Sequence, residues 1–151
     1  MRAVRSNAAK GMKDVHPAVH ASAMAATVDK LPDVVKTSWE TLKTEWVTDE
    51  LSRQVINGEK ATVTRLTFKA DSKIERHHHV SEEFCWILSG ALEYSLDDRK
   101  VVVGAGEIIV VPSNVPHAIV AREDTACIYI FAPMREDWLK GEDQYLRAPH
   151  S

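Results

Sequence analysis

The stretch R-H-H-H-V-S-E-E-F-C-W-I-L-S-G, residues 76–90, places three consecutive histidines and two glutamates directly before an apolar run. Alternate side chains of a β-strand point to the same face, so His77 and His79 share a side and His78 points away. An acid that joins the same centre must come from the following turn or strand, and the spacing favours Glu83. The stretch therefore predicts a strand that carries a metal site.

A fourth ligand can come from His117, where the chain enters a later strand after a proline-rich turn. Three neutral imidazoles and one carboxylate suit Fe(II), Mn(II), Ni(II), Cu(II) or Zn(II), and they leave coordination positions for substrate or water. We expect one divalent transition metal per chain. The ligand types alone do not distinguish among these metals.

Length and composition narrow the class of protein. A chain of 151 residues is long enough for one domain with a hydrophobic core. The 19 basic and 22 acidic residues form no long block of one sign, which argues against a nucleic-acid partner. The two cysteines indicate free thiols in a reducing compartment. We found no apolar run of membrane-spanning length and no secretory signal, so a cytoplasmic location without a membrane partner is expected.

The organisation of the chain predicts an all-β domain between two irregular ends. Residues 1–36 are alanine-rich without an apolar period and are interpreted as an arm that is partly disordered or packs on another subunit. Residues 37–133 carry short β-type runs separated by turn residues, including a predicted tight hairpin turn at Asn57-Gly58. Residues 134–151 form a short helical or irregular tail. Because no crossover helix separates the runs, an antiparallel barrel or jelly roll is expected.

Two motifs give the chain a resemblance to the cupin superfamily. The first motif is present as His77-x-His79-x3-Glu83-x6-Gly90. The second is present as Gly106-x5-Pro112-x-Asn114-x2-His117. The resemblance implies a cupin jelly-roll β-barrel, also called a double-stranded antiparallel β-helix, with a metal at His77, His79, Glu83 and His117.

The departures from the cupin motifs leave all four ligands in place. Asp71 or Ala70 stands where the leading glycine belongs, Asn114 replaces an inner glycine, and Ala121 replaces the last asparagine. Asparagine tolerates left-handed backbone angles, so Asn114 is expected to form a glycine-type turn.

The segments P-S-N-V-P-H-A-I-V-A-R-E-D-T and F-A-P-M-R-E-D-W-L-K-G-E-D-Q-Y-L-R resemble a group of small bacterial cupins that includes the KdgF-type proteins. Those proteins convert 4,5-unsaturated monouronates to linear keto sugars. The resemblance implies that the metal polarises the oxygens of a small anionic substrate and that Arg135 holds or positions its acidic group, because a guanidinium pairs bidentately with a carboxylate. Together with apolar residues on the outward strand faces, it also implies a homodimer.

Two residues depart from the KdgF-type pattern and keep other functions open. Tyr129 stands where that group has a proton-transferring aspartate, and Glu83 stands where it commonly has glutamine. Tyr129 is a candidate catalytic residue because strand alternation lets it point at the metal. The first alternative function is an Fe(II)-dependent quercetinase-like dioxygenase, and the second is a metal- or ligand-binding cupin without catalysis.

Overall fold

The structure, a computed structural model, describes residues 31–147. The chain divides into two units, residues 1–36 and residues 37–151. Residues 31–36, the described part of the first unit, are exposed and form neither helix nor strand. Most of the predicted N-terminal arm lies outside the described residues.

Strands dominate the described part of the second unit. They are β1 (Glu45–Trp46), β2 (Leu51–Asn57), β3 (Thr62–Phe68), β4 (Lys73–His77), β5 (Glu82–Ser89), β6 (Ala91–Ser95), β7 (Lys100–Gly104), β8 (Ile108–Val111), β9 (His117–Ala121) and β10 (Thr125–Ala132). Two one-turn helices follow, α1 (Glu136–Leu139) and α2 (Gln144–Arg147). Among the described residues, no helix has the length and apolar character needed to cross a bilayer.

The strands form two sheets whose pairs are all antiparallel. The larger sheet has the order β1-β2-β3-β10-β5-β8, and the smaller has the order β4-β9-β6-β7. Strands that are distant in sequence are neighbours in both sheets, as in a jelly roll. The predicted all-β jelly-roll fold is confirmed.

Strand β5 shows how the alternating sequence builds the barrel interior. Glu83, Cys85 and Ile87 are buried, whereas Trp86 and Leu88 are 49% and 41% exposed on the outer face. This alternation arises because successive side chains of a pleated strand point to opposite faces. As a consequence, one carboxylate lies among the apolar side chains of the core.

Gly90 separates the two halves of what the sequence presents as one long strand. It has a φ of 88°, and a Cβ atom there would lie 2.3 Å from the carbonyl oxygen of Asp124. Only glycine avoids both the strained angle and this contact. The chain turns at Gly90, so that β5 joins the larger sheet and β6 joins the smaller one.

The turn predictions have mixed outcomes. Asn114 has a φ of 63° and so adopts the expected left-handed conformation. Asp71 is also left-handed, with a φ of 70°. The prediction of a two-residue turn at Asn57-Gly58 is wrong, although β2 and β3 do form the predicted hairpin. Pairing continues through Asn57, which is opposite Thr62, and a hydrogen bond from the Gly58 N–H to the Ala61 carbonyl closes a four-residue connection.

Candidate metal centre

Three histidines come together at one end of the barrel. His77 is the last residue of β4 and pairs in register with His117, the first residue of β9. His79 follows two residues after β4, in the connection to β5. One nitrogen from each of the three rings lies within 4.8 Å of the other two. The structure therefore brings together three of the four predicted ligands as a compact triad.

The second nitrogen of each ring fixes its tautomer. The Nδ1 atoms of His77, His79 and His117 lie 2.7, 2.7 and 2.8 Å from the carbonyl oxygens of Glu75, Ser81 and Val115. A carbonyl oxygen can only accept, so each Nδ1 carries the hydrogen and donates it. In the neutral ring Nε2 then bears a lone pair, which is the form that binds a metal.

The carboxylate of Glu83 is buried beside the triad, with the side chain 2% exposed. Its Oε2 lies 3.2 Å from Nε2 of His79 and 3.2 Å from Nε2 of His117. Its Oε1 accepts a 2.8 Å hydrogen bond from the hydroxyl of Tyr94. The group of atoms within 4.8 Å of one another contains only the three histidines, so coordination by Glu83 stays a prediction.

One atom of this cluster shows that the residues suit a cation. Nε2 of His117 is buried and has no hydrogen-bond partner among the described residues, although a carboxylate oxygen lies 3.2 Å away. A ring nitrogen and a carboxylate oxygen at that distance attract each other only when a positive charge lies between them, either a bound cation or a proton on His117. The nitrogen and oxygen donors together match the preferences of divalent transition metals.

The electrostatics of the centre favour the metal-binding forms of Glu83 and His77, whereas the Glu83 carboxylate favours a proton on His117. Burial raises the pKa of Glu83, but the adjacent His117 and His79 outweigh burial and lower it to about 2. Burial, with a contribution from His117, lowers the pKa of His77 to about 4. Burial also lowers the pKa of His117, but the Glu83 carboxylate outweighs burial and the net shift is upward. Near neutral pH the cluster thus holds an ionised carboxylate and a neutral His77.

Tyr129 faces the barrel interior, as strand alternation predicts, and borders the same cavity as His77 and Glu83. Its hydroxyl lies 2.9 Å from that of Tyr94. Burial, reinforced by the nearby Cys85, raises the pKa of Tyr129 well above its ordinary value. The phenol therefore keeps its hydrogen near neutral pH and is suited to hydrogen bonding rather than to service as a base.

Arg135 is almost completely buried, and the protein itself engages its guanidinium. Its Nε and Nη2 donate to the two carboxylate oxygens of Asp137 at 2.9 and 2.7 Å, and Nη2 also donates to the hydroxyl of Tyr145. The group lies over the rings of Phe131 and Trp138 at 4.7 and 4.6 Å. Arg135 borders the central cavity, but a substrate carboxylate would have to compete with Asp137 for it.

Sequence reasoning missed three side chains near the triad. Tyr94 bonds Glu83, the ring of Tyr145 stacks on His77 at 4.4 Å, and Trp138 packs edge-on against Phe131. Alternation along β6 does predict an inward Tyr94. Tyr145 and Trp138 lie in the tail, where the sequence shows no periodic signal.

Two spaces of different size adjoin the centre. A cavity of about 20 Å³ is bordered by His77, Glu83, Tyr129 and Arg135 and is covered by the tail residues Trp138 and Tyr145. A cavity of that size holds about one water molecule. A surface groove of about 500 Å³ runs along the outside, and both His79 and Arg135 border it.

Comparison with known protein families identifies the domain. The family model described as a cupin domain matches residues 64–133, which include all three histidines of the triad. This segment is a cupin domain. None of the curated proteins compared matches the sequence. The histidines that end β4 and begin β9 therefore belong to a cupin barrel.

Solved structures support the cupin fold. An RmlC-like cupin from Shewanella frigidimarina superposes with a TM-score of 0.65 at 22% identity, covering 70% of this chain and 96% of that one. KdgF from Halomonas sp. gives 0.62 at 22% identity, covering 67% and 96%. The polyketide cyclase RemF from Streptomyces resistomycificus gives 0.57 at 21% identity, covering 67% and 80%. At these identities the likeness shows the fold alone, and this fold carries different activities.

Proposed function

We propose that the cupin domain is a metal-dependent enzyme acting on a small anionic organic substrate. The reaction we propose is a KdgF-like conversion of a 4,5-unsaturated monouronate to a linear keto sugar. The observation that carries the proposal is the histidine triad, in which three carbonyl-anchored imidazoles each place one nitrogen within 4.8 Å of the other two, beside a buried carboxylate. A divalent metal bound there supplies Lewis-acid polarisation of sugar oxygens.

The residues that would hold the metal are His77, His79, His117 and Glu83. Backbone carbonyls fix the three rings, and second hydrogen bonds of this kind orient metal ligands and increase their basicity. Oε2 is the oxygen of Glu83 directed at the histidines, because Oε1 is engaged by Tyr94.

The surface groove is the space that fits a sugar. Small-molecule sites usually measure about 300–1,000 Å³, and the groove of about 500 Å³ lies in this range. Because His79 and Arg135 both border the groove, a uronate seated there has its reacting end near the triad and its carboxylate near the guanidinium. We propose that the substrate carboxylate replaces Asp137 as the partner of Arg135.

Tyr129 has a different role in this proposal from the aspartate of the KdgF-type proteins. Its neutral phenol donates its own hydrogen to the hydroxyl of Tyr94. The phenol oxygen can then accept a hydrogen bond from a ligand in the central cavity. It orients a ligand rather than removing a proton.

The carboxylate Glu83 favours a second candidate, an Fe(II) dioxygenase of the quercetinase-like type. Three imidazoles with one carboxylate are a ligand set that also suits iron. The water-sized central cavity favours a third candidate, a cupin that binds a metal or ligand without turnover. All three predict bound metal and differ in what the loaded protein does.

The test uses protein purified without a tag, since added histidines would bind metal of their own. We expect elemental analysis to give about one transition metal per chain and the ultraviolet absorbance of a 4,5-unsaturated uronate to disappear without O2 uptake. Iron with substrate-dependent O2 uptake would establish the dioxygenase instead. Stable metal and ligand binding with no product would establish the binding protein. Protein that contains no metal would contradict all three candidate functions.

We also propose that a second copy of this chain is the partner of the outer face of the larger sheet. On that face Trp86, Ile108, Val110 and Ile130 are 41–61% exposed. They are contiguous, because Trp86 pairs with Ile108 across β5 and β8. Among the described residues, β8 pairs only with β5, so this apolar face reaches the edge of the sheet. Contiguous apolar surface of this kind marks an interaction site.

Trp86→Glu should convert the dimer to a monomer, because a buried tryptophan at the centre of an interface commonly contributes more than about 2 kcal/mol, or roughly 30-fold in Kd. Sedimentation velocity over a concentration series measures this change. Trp46→Glu is the matched control, since Trp46 is also exposed but lies on β1 at the opposite edge of the sheet. A monomeric wild type, or equal Kd values for Trp86→Glu and the wild type, would contradict the proposal.

A further inference from the structure

We propose that Tyr94 is a positioning residue that fixes the Glu83 carboxylate in the metal centre, through a chain of hydroxyls that ends at Tyr129. Neither cupin motif includes Tyr94, and the inference rests on the metal site proposed above. The hydroxyl of Tyr94 lies 2.8 Å from Oε1 of Glu83 and 2.9 Å from the hydroxyl of Tyr129. Tyr94 itself is 0% exposed, so both bonds lie inside the barrel and away from bulk water.

Tyr94 reaches Glu83 across the interior of the barrel. Glu83 and Tyr129 lie on β5 and β10 of the larger sheet, whereas Tyr94 lies on β6 of the smaller sheet. The ring of Tyr94 stacks against His117 with a centroid distance of 6.0 Å. One side chain therefore contacts a histidine of the triad with its ring and the buried carboxylate with its hydroxyl.

The hydrogen bonds of the chain have one possible direction. A carboxylate has no hydrogen to donate, so the hydrogen of Tyr94 must point at Oε1 of Glu83. The oxygen of Tyr94 can then only accept, so Tyr129 is the donor to Tyr94. Each bond in such a chain polarises the next, which strengthens the bond at the carboxylate.

This arrangement decides which oxygen of Glu83 faces the histidines. With Oε1 held by Tyr94, Oε2 remains 3.2 Å from Nε2 of His79 and 3.2 Å from Nε2 of His117. Without the Tyr94 hydroxyl, Oε1 would be buried and unsatisfied, and the carboxylate would gain by rotating away. Loss of a residue that orients a metal ligand typically weakens metal affinity about 10- to 100-fold.

The test compares Tyr94→Phe with Tyr129→Phe by calorimetric titration of metal-free protein with Zn(II). Both variants lose one buried hydroxyl, so a merely structural role would affect them alike. We expect Tyr94→Phe to weaken Zn(II) binding at least about 10-fold and Tyr129→Phe, which leaves the bond to Glu83 in place, to weaken it less than about threefold. In a Glu83→Leu background, which has no side-chain oxygen to accept from Tyr94, Tyr94→Phe should add much less to the loss.

The outcomes separate the two proposals. A wild type that binds no Zn(II) or other divalent transition metal refutes the proposed metal site but leaves the Tyr94 contact open to a second measurement. That measurement is the unfolding of the metal-free protein in the same cycle of Tyr94→Phe and Glu83→Leu. Strictly additive effects on unfolding would overturn the inference, as would a wild type and a Tyr94→Phe variant with equal Zn(II) affinity.

Discussion

His79→Ala should remove nearly all bound metal from the cupin domain. The substitution takes away one of three imidazoles whose nitrogens lie within 4.8 Å of one another, and it also removes a neighbour of Oε2 of Glu83. Loss of one imidazole from the proposed four-ligand site removes a direct metal bond, so affinity should fall by more than about 100-fold. Elemental analysis after dialysis against a weak chelator measures the loss.

His78→Ala is the control for this prediction. His78 is the neighbouring residue in the same histidine run, but it is exposed and borders the outer groove rather than joining the triad. The His78→Ala variant should keep its metal. This result would show that the triad binds the metal and that the histidine run as a whole does not. Full occupancy in His79→Ala, or equal losses in both variants, would show that the triad is not the binding site.

His77 and His79 could be predicted from the sequence because their signal is local and periodic, whereas His117 was assigned from its place after a proline-rich turn and in the second cupin motif. The period of two residues along β5 puts Glu83 and Cys85 inside the barrel and Trp86 outside it. The same rule placed Tyr129 in the interior. A period of two residues is imposed by the pleat of the backbone, so it holds wherever the strand itself is correctly recognised.

Partners that depend on long-range packing could not be predicted in this way. The bond from Tyr94 to Glu83 joins two different sheets, and the stacking of Tyr145 on His77 joins the tail to β4. Arg135 was expected to hold a substrate, but Asp137 and two aromatic rings, all within four residues of it in the sequence, already engage it. Pairing of this kind follows from where the tail packs.

The error at Asn57-Gly58 has a specific physical cause. These residues suit a two-residue turn, but the pairing of β2 with β3 extends through Asn57 and Thr62. The hydroxyl of Thr62 also donates to the side chain of Asn57 at 2.6 Å, which stabilises Asn57 as a strand residue. Cross-strand contacts outweighed the local turn preference.

Asp143→Asn should cost the domain about 2 to 4 kcal/mol of unfolding free energy, because it removes one charge of a buried ion pair. Asp143 precedes α2, and its Oδ2 lies 2.6 Å from Nη2 of Arg53 on β2, with the two side chains 3% and 5% exposed. Nη1 of Arg53 already lacks a hydrogen-bond partner among the described residues. Without the carboxylate, the guanidinium would depend on Glu45, which is part-exposed.

The pH dependence of this loss identifies its origin. Burial raises the pKa of Asp143, but Arg147 and Arg53 outweigh burial and hold it below its ordinary value. A depressed pKa stabilises the folded state above the pKa of the unfolded chain, about 3.9. That stabilisation is lost as pH falls through the lower pKa of the folded state. Urea unfolding should therefore show a constant difference between Asp143→Asn and the wild type above about pH 5 that shrinks below about pH 4.

Asp98→Asn is the matched control, because Asp98 pairs with Arg99 while both side chains are largely exposed. Exposed pairs contribute little, so this change should cost less than about 0.5 kcal/mol at any pH. Since Asp143 joins the tail to β2, and the tail places Tyr145 on His77, Asp143→Asn should also loosen the cover over the triad. Equal effects of Asp98→Asn and Asp143→Asn would mean that the buried pair does not anchor the tail.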